Sequence, residues 1–407
     1  MTRSFSVSAA VVLWLAVVSP LSAQPTLTRA EAIRIALDHS SRAAVLASDT
    51  TAANAQLRAA HEYPNPTMTV GYSKSVPQNH LSVEVPIELP AVRRARIRAA
   101  AATRTSAHHT FLAGRAAIEL DVDTLYTHAQ VAVTHLDASN ATALDAHQLW
   151  QLTEARRTAG DASDLDVQLA RVNAEQLASV ASGDTATAVD AMLELQAAMG
   201  VTSDSLLYHL PPILEGAATP VSRRLDRPPL VAPRVAAAEA ALAAAQQTLT
   251  LQRASVFGTP AIQVGVEGRD PTGSERGLLP TVGVVLPLPL FNWNGGQIAA
   301  ARADVDRSRA ALAVARLEIA SQLERASRAR ASAVTRSVRD GQAAISADSV
   351  LLLSRKAYEE GEMTLADVLQ AQRTYRDAWA QYQNDLLTLL VNDAILRVYT
   401  GQPVTHP

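Results

Sequence analysis

Gly160-Asp161-Ala162-Ser163-Asp164-Leu165-Asp166-Val167 returns as Gly361-Glu362-Met363-Thr364-Leu365-Ala366-Asp367-Val368, 201 residues further on. Pro86 and Pro287, Ala170 and Ala371, and Gly200 and Gly401 keep the same offset. Ala is abundant in this chain and would coincide by chance, whereas Pro, Gly and Asp are scarce enough to carry the register. A fixed offset held without a gap from Pro86 to Gly200 means two copies of one unit.

Working outward from each glycine, both flanks read as helix. Ala91 to Arg157 contains no Pro and a single Gly, Gly114, and Ile298 to Glu360 contains no Pro and only Gly341. Ala, Arg, Leu, Glu and Gln dominate both stretches, and these are strong helix formers. A helix of about 65 residues runs about 100 Å at 1.5 Å per residue. Ile118, Val122, Leu125, Ala129, Ala132 and Leu136 alternate steps of four and three. So do Leu365, Val368, Gln372, Tyr375, Trp379, Tyr382, Leu386 and Leu389. That is the seam of a coiled coil. Each unit also begins with a helix, predicted over about 28–62 and about 234–257.

Between the opening helix and the long one, each copy has two alternating segments. Pro64-Asn65-Pro66 ends the first helix, because Pro cannot continue it. Met68, Val70 and Tyr72 then alternate with Thr67, Thr69, Gly71 and Ser73; Leu81, Val83, Val85, Ile87 and Leu89 follow the turn near Pro77 to Asn79. In the second copy Ile262, Val264 and Val266 alternate with Gln263, Gly265 and Glu267; after a turn at Pro271-Thr272-Gly273 come Val282, Val284 and Leu286. The predicted strands span about 66–76, 80–89, 260–269 and 279–289, the length of a tilted membrane-spanning strand. One apolar and one polar face suit a wall between lipid and water. Tyr63, Tyr72, Phe257, Phe291 and Trp293 flank these strands as membrane-interface aromatics would. Two hairpins cannot close a barrel, and open edges are not tolerated in lipid, so several chains would have to share one.

Composition fits this plan. The 407 residues carry 36 Lys+Arg against 39 Asp+Glu, a formal charge of −3, which gives no global electrostatic case for nucleic acid. There is no Cys, hence no disulfide, thiolate site or acylated N-terminal cysteine. Only 4% of the residues are aromatic, too few for a large globular core. Arg3, the apolar run Val7–Val18 and Ser19-Pro20-Leu21-Ser22-Ala23 read as a signal peptide, residues 1–23. No phosphate loop, His-Glu-x-x-His or nucleophile elbow is present, so no cofactor, no bound metal and no enzyme activity is expected.

The duplicated hairpins, together with Pro287-Leu288-Pro289-Leu290-Phe291-Asn292-Trp293-Asn294-Gly295-Gly296-Gln297-Ile298-Ala299 and Tyr358-Glu359-Glu360-Gly361-Glu362-Met363-Thr364-Leu365-Ala366-Asp367-Val368-Leu369-Gln370-Ala371-Gln372, resemble the TolC-like outer-membrane efflux protein family. The Pro-Leu-Pro-Leu-Phe-Asn run looks most like its heavy-metal (cobalt/zinc/cadmium) branch. The fold implied is mainly α with a small β part: duplicated coiled-coil hairpins plus four short transmembrane strands. Three chains would then form an α-barrel tunnel below a 12-stranded β-barrel. The units implied are a first repeat over 24–200, an equatorial linker over 201–233, a second repeat over 234–401 and a tail over 402–407.

The resemblance implies the outer-membrane channel of a tripartite efflux system, extending into the periplasm of a Gram-negative bacterium. Its partners would be two further copies, a periplasmic adaptor (membrane fusion) protein, an inner-membrane pump such as a resistance-nodulation-division transporter, and outer-membrane lipid. Heavy-metal cations, drugs and proteins secreted by a type I route all remain open as cargo. A periplasmic adaptor would show one hairpin flanked by β-rich domains, and a coiled-coil scaffold would not need the strands. Asp166 and Asp367 match the family's entrance aspartates, with Gln370 where a further carboxylate is usual. Both also sit where a helix N-terminus takes an acidic residue. Gly160 and Gly361 would be the hairpin tips that meet the adaptor. His128, His135 and Asp121 share one heptad position, as do Asn140, His147, Glu154 and Asp161. Residues seven apart are over 10 Å apart along the axis, too far for one metal. They read as a polar stripe, and Arg93, Arg94, Arg96 and Arg98 as a headgroup contact or a solvated face.

Overall fold

A computed structural model describes residues 25–75, 77–203, 205–211, 232–269 and 277–400. The signal peptide, most of the linker, the Pro271-Thr272-Gly273 turn and the tail lie outside the described residues. In chain order the elements are α1 (Arg29–His39), α2 (Ser41–His61), β1 (Thr67–Tyr72), β2 (Asn79–Pro86), α3 (Pro90–Ala159), α4 (Asp164–Ala198), α5 (Pro233–Ala254), β3 (Ala261–Gly268), β4 (Leu279–Val285), α6 (Gly295–Glu360) and α7 (Leu365–Thr400).

The long helices are continuous. α3 has 70 residues and α6 has 66, so each spans about 100 Å. α4 packs on the lower half of α3 and α7 on that of α6, while α2 and α5 cover the upper half of α3 and α5 also packs on α6. The buried stripes are built from small residues: Ala170, Ala174, Ala181 and Ala188 on α4, and Ala326, Ala333, Ala344 and Ala347 on α6. Small side chains let helix axes approach closely, which explains a helical protein with so few aromatics. No helix among the described residues is long and apolar enough to cross a membrane.

The widest apolar cluster lies at mid-height. Leu27, Ile33, Ile118, Val122, Tyr126, Met192, Leu195, Met199 and Leu210 meet there from four segments. Leu27 is fixed on both sides: its N–H donates to His209 O at 2.8 Å and its carbonyl accepts from the Tyr126 hydroxyl at 3.0 Å. Beside this cluster sits an ion triad. Asp123, whose side chain is 2% exposed, faces Arg29 Nε at 3.2 Å and Arg397 Nη2 at 2.7 Å. It joins α1, α3 and α7, and so both copies of the repeat.

Two expectations need correction. The opening helix predicted over about 28–62 is two helices. Ser40 is buried in an extended conformation (φ −69°, ψ 141°), and its hydroxyl accepts from Ala43 N–H at 3.2 Å as the N-cap of α2. The four strands are also shorter than predicted, with 6, 8, 8 and 7 residues. Prolines at 66, 260, 287 and 289 remove ladder donors at one end of the sheet. Pairing continues a little past these limits, with Ser73 N–H to Gln78 O at 2.8 Å and Ile87 N–H to Pro260 O at 2.6 Å.

Candidate channel wall and entrance

The strands form one antiparallel sheet in the order β1-β2-β3-β4. Directly opposed residues point to the same face, so the register assigns both faces. Met68, Val83, Val264 and Val282 lie in one row, and Val70, Leu81, Val266 and Pro280 in another. Val85, Ile262 and Val284 extend the same face. The opposite face carries Thr69, Ser82, Gly265 and Thr281 in one row and Thr67, Glu84, Gln263 and Gly283 in the next. The apolar face is bare: Met68 is 67% exposed, Val70 72% and Val282 78%. The polar face is crowded at its centre. A Cβ on Gly265 would meet Leu81 O at 2.7 Å and Thr281 Oγ1 at 2.8 Å. Glycine at this position lets the neighbouring strands approach closely.

All five predicted interface aromatics are exposed, Phe291 almost completely. Tyr63, Phe257, Phe291 and Trp293 fall in the connections between helices and strands, and Tyr72 ends β1 on the hairpin side. Four of the five thus mark the helical end of the sheet. Arg93 stacks over the Tyr63 ring at 4.5 Å. Arg93 and Arg96 donate to the last carbonyls of α2, those of Ala60, His61 and Glu62, and Arg96 also pairs with Glu88 at 3.0 Å. Part of the arginine row therefore caps a helix C-terminus against its dipole.

At the far end, both tips use the same turn. Gly160 (φ 90°) and Gly361 (φ 81°) are left-handed. Asp161 N–H bonds to Arg156 O and Glu362 N–H to Ala357 O, each at 2.8 Å. This is the Schellman closure, for which Gly is the least strained residue. The returning helices are capped alike. Asp166 N–H donates to Ser163 Oγ at 3.1 Å while Ser163 N–H donates to Asp166 Oδ2 at 3.0 Å. Asp367 N–H donates to Thr364 Oγ1 at 3.3 Å, and that hydroxyl donates to Asp367 Oδ2 at 2.6 Å. Each aspartate is held by its own turn, Asp367 exposed and Asp166 half-buried. Among the described residues no contact joins them.

Sequence reasoning missed the link between the tips. The Arg156 guanidinium donates to the Tyr358 carbonyl and lies 4.7 Å from the Tyr358 ring centroid. The Tyr358 hydroxyl meets Thr153 Oγ1 at 3.1 Å. Leu149, Ala170, Tyr358, Leu365 and Val368 make the small core beneath. Nearby, Arg355 pairs with Asp145 at 3.0 Å and Asn173 Nδ2 donates to Gln372 Oε1 at 2.9 Å. Arg157 bridges Glu154 and Asp164, and its pKa is raised, first by the hydrogen bond to Glu154.

The predicted polar stripe of α3 is dispersed. Asp121 pairs with Arg42 at 2.8 Å, His135 with Asp184 at 3.2 Å, and His147 stacks edge-on with Trp150. No group of three or more His, Asp or Glu side chains among the described residues is arranged to hold a metal.

Comparison with known proteins closes the argument for the architecture. The family model for outer membrane efflux proteins matches residues 231–402, the second copy of the repeat. The cobalt-zinc-cadmium resistance protein CzcC of Cupriavidus metallidurans is 26% identical over 374 residues, 90% of this chain and 88% of that one. The second copy of the repeat thus matches the outer membrane efflux protein family, and the chain resembles a metal-resistance relative along nine-tenths of its length. Among solved structures, CusC superposes with a TM-score of 0.75 at 17% identity, covering 92% of each chain. The outer membrane protein VceC of Vibrio cholerae superposes with 0.72 at 16% identity, covering 92% of this chain and 97% of that one. The protein is an outer-membrane efflux channel whose helices extend into the periplasm. The one-sided sheet is its membrane wall, and a single chain supplies only four strands of it.

Proposed function

We propose that three copies of this chain close a 12-stranded barrel above a helical tunnel. Through it, heavy-metal cations delivered by an inner-membrane pump and a periplasmic adaptor leave the cell. The observation that carries the assembly is the sheet. Its apolar face is exposed, its opposite face is polar, and among the described residues its edge strands β1 and β4 have no further partner strand within one chain. In lipid such edges must find partners, and identical copies supply them with β4 of one against β1 of the next.

The cargo class is supported by the similarity to a cobalt-zinc-cadmium resistance protein across nine-tenths of the chain. In this reading the tips at Gly160 and Gly361 receive the adaptor. Asp166 and Asp367 from three protomers form rings of carboxylates at the entrance, which attract cations. The exposed aromatics seat the barrel at the membrane surface, chiefly its periplasmic side. The test is deletion of the gene, scored for tolerance to zinc, cobalt and cadmium and, in parallel, to detergents and dyes. Loss of metal tolerance is expected. Unchanged metal tolerance with new drug sensitivity would replace metal export by drug efflux.

A further inference from the structure

The polar face of the sheet holds a histidine–carboxylate pair that the channel architecture alone does not require. We propose that His80 and Glu267 form a weak transit site for a first-row divalent cation such as Zn²⁺, one per protomer, on the lumen face near the outer end of the barrel. The proposal takes its ligand class from the metal-export reading above.

The register places Gly71, His80, Glu267 and Leu279 in one row across all four strands, on the same face as Glu84 and Gln263 and next to the hairpin ends. His80 Nδ1 and Glu267 Oε1 are 3.3 Å apart. A tetrahedral zinc about 2.0–2.2 Å from an imidazole nitrogen and a carboxylate oxygen separates those donors by about 3.3–3.5 Å. The two side chains already stand at that spacing.

The hydrogen bonds around the ring strengthen the case. The Ser73 hydroxyl, 2.9 Å from Ser75 O and 3.0 Å from Ser75 Oγ, also stands 3.3 Å from His80 Nε2 and holds the ring from its far side. Nδ1 faces the carboxylate, and in the tautomer protonated at Nε2 its lone pair and the carboxylate oxygen are both acceptors. In that tautomer a cation between them, a metal ion or a proton, satisfies both. Fixing one ring nitrogen by a hydrogen bond is the usual way a ligating histidine is oriented.

Both side chains are about one-third exposed, so water completes the coordination shell and the ion can leave. Conduction asks for this: binding favourable enough to enter and weak enough to release. The charged neighbours are Lys74 in the adjoining turn, Arg269 just after β3, and Glu84 four residues along β2, about 14 Å away. The similar pair His135–Asp184 lacks these features. Asp184 already accepts from Ser139 Oγ, and Arg376 lines the same groove.

The test is calorimetric titration of the purified full-length trimer with Zn²⁺ near neutral pH, with Mg²⁺ as competitor. Wild type is compared with His80→Gln and Glu267→Gln, and His135→Gln serves as control. Each of the first two variants should lose one Zn²⁺ per protomer or bind it at least about tenfold more weakly; the control should match wild type. Wild-type stoichiometry and affinity in both variants would overturn the site, leaving an imidazolium–carboxylate pair that takes a proton only. Should a variant fail to assemble, zinc-edge anomalous diffraction on zinc-soaked wild-type crystals decides, and absence of a peak between His80 and Glu267 counts against the site. The two readings fail separately. Zinc at the pair with unaltered metal tolerance on deletion sinks the export reading. Metal sensitivity on deletion with unaffected zinc uptake in both variants sinks the site.

Discussion

Replacing Asp123 by Ala should be the most damaging single change in the helical part of the molecule. Its carboxylate is 2% exposed and joins Arg29 and Arg397, which keep 19% and 18% of their side-chain surface. Removing one partner from a buried ion pair costs about 3–5 kcal/mol, because the remaining charge is left uncompensated. The partial exposure of both guanidinium groups lets water relieve some of this. Glu119, in electrostatic reach of Arg397, can take over part of the pairing. The low end, about 3 kcal/mol, is therefore expected. If the triad forms late in folding, the loss falls on the unfolding rate, and about 3 kcal/mol is about 150-fold. The assay is the decay of far-UV circular dichroism of the detergent-solubilised protein at a fixed high temperature, where such proteins report a rate rather than an equilibrium. The triple variant Arg29→Met, Asp123→Leu, Arg397→Met should regain most of the lifetime, since apolar replacements of a buried triad are often neutral or better. An Asp123→Ala lifetime within about threefold of wild type would refute the reasoning, as would a triple variant no better than the single one.

On the sheet, Val264→Arg on the apolar face should block outer-membrane assembly, at about 2–4 kcal/mol per charge near the bilayer centre, whereas Gln263→Arg should assemble and alter conductance; fractionation and planar-bilayer recording separate them. Asp367→Ala should raise the conductance of the purified channel if its ring narrows the entrance, and an unchanged conductance leaves it as a helix cap only. Ser163→Ala should cost about 1 kcal/mol through loss of the α4 cap, read as a modest drop in thermal lifetime with conductance unaltered. The Glu119 carboxyl has a raised pKa, chiefly from burial and then from Asp123. Its folded form binds a proton more tightly than the unfolded chain does, so this contribution is full below the ordinary carboxylate range and is lost as pH rises through the raised value. Glu119→Gln should therefore lengthen the lifetime at neutral pH and change little below about pH 4; equal gains at both pH values would contradict it.

The repeat, the helix lengths and the two faces of the sheet could be read from the sequence because each is a local pattern. Gly160 and Gly361 announce their turns, and the alternation from Met68 to Tyr72 announces a face. The break at Ser40 could not be read, since no Pro or Gly marks it. The Asp123 triad and the Arg156–Tyr358 link join residues 274 and 202 positions apart, and no spacing rule connects them. The arginine row was ambiguous for a similar reason: Arg96 finds its carbonyls on a separate helix more than 30 residues upstream. Asp166 and Asp367 were legible as positions, and the structure adds that both carboxylates are already engaged in caps.

The pairing of β2 with β3 sets an order of assembly. Pro86 lies opposite Ala261, so these central strands meet only after the chain between them has folded back on itself through α3, α4 and α5. Closing so long a loop as an open coil is entropically costly and slow; with the helical hairpin already formed, its ends arrive together. The hairpins β1–β2 and β3–β4 are local and form early, but neither is stable alone. The sheet, and with it the surface that prefers lipid, is therefore completed last. A nascent chain can cross the periplasm before it displays anything that commits it to a membrane.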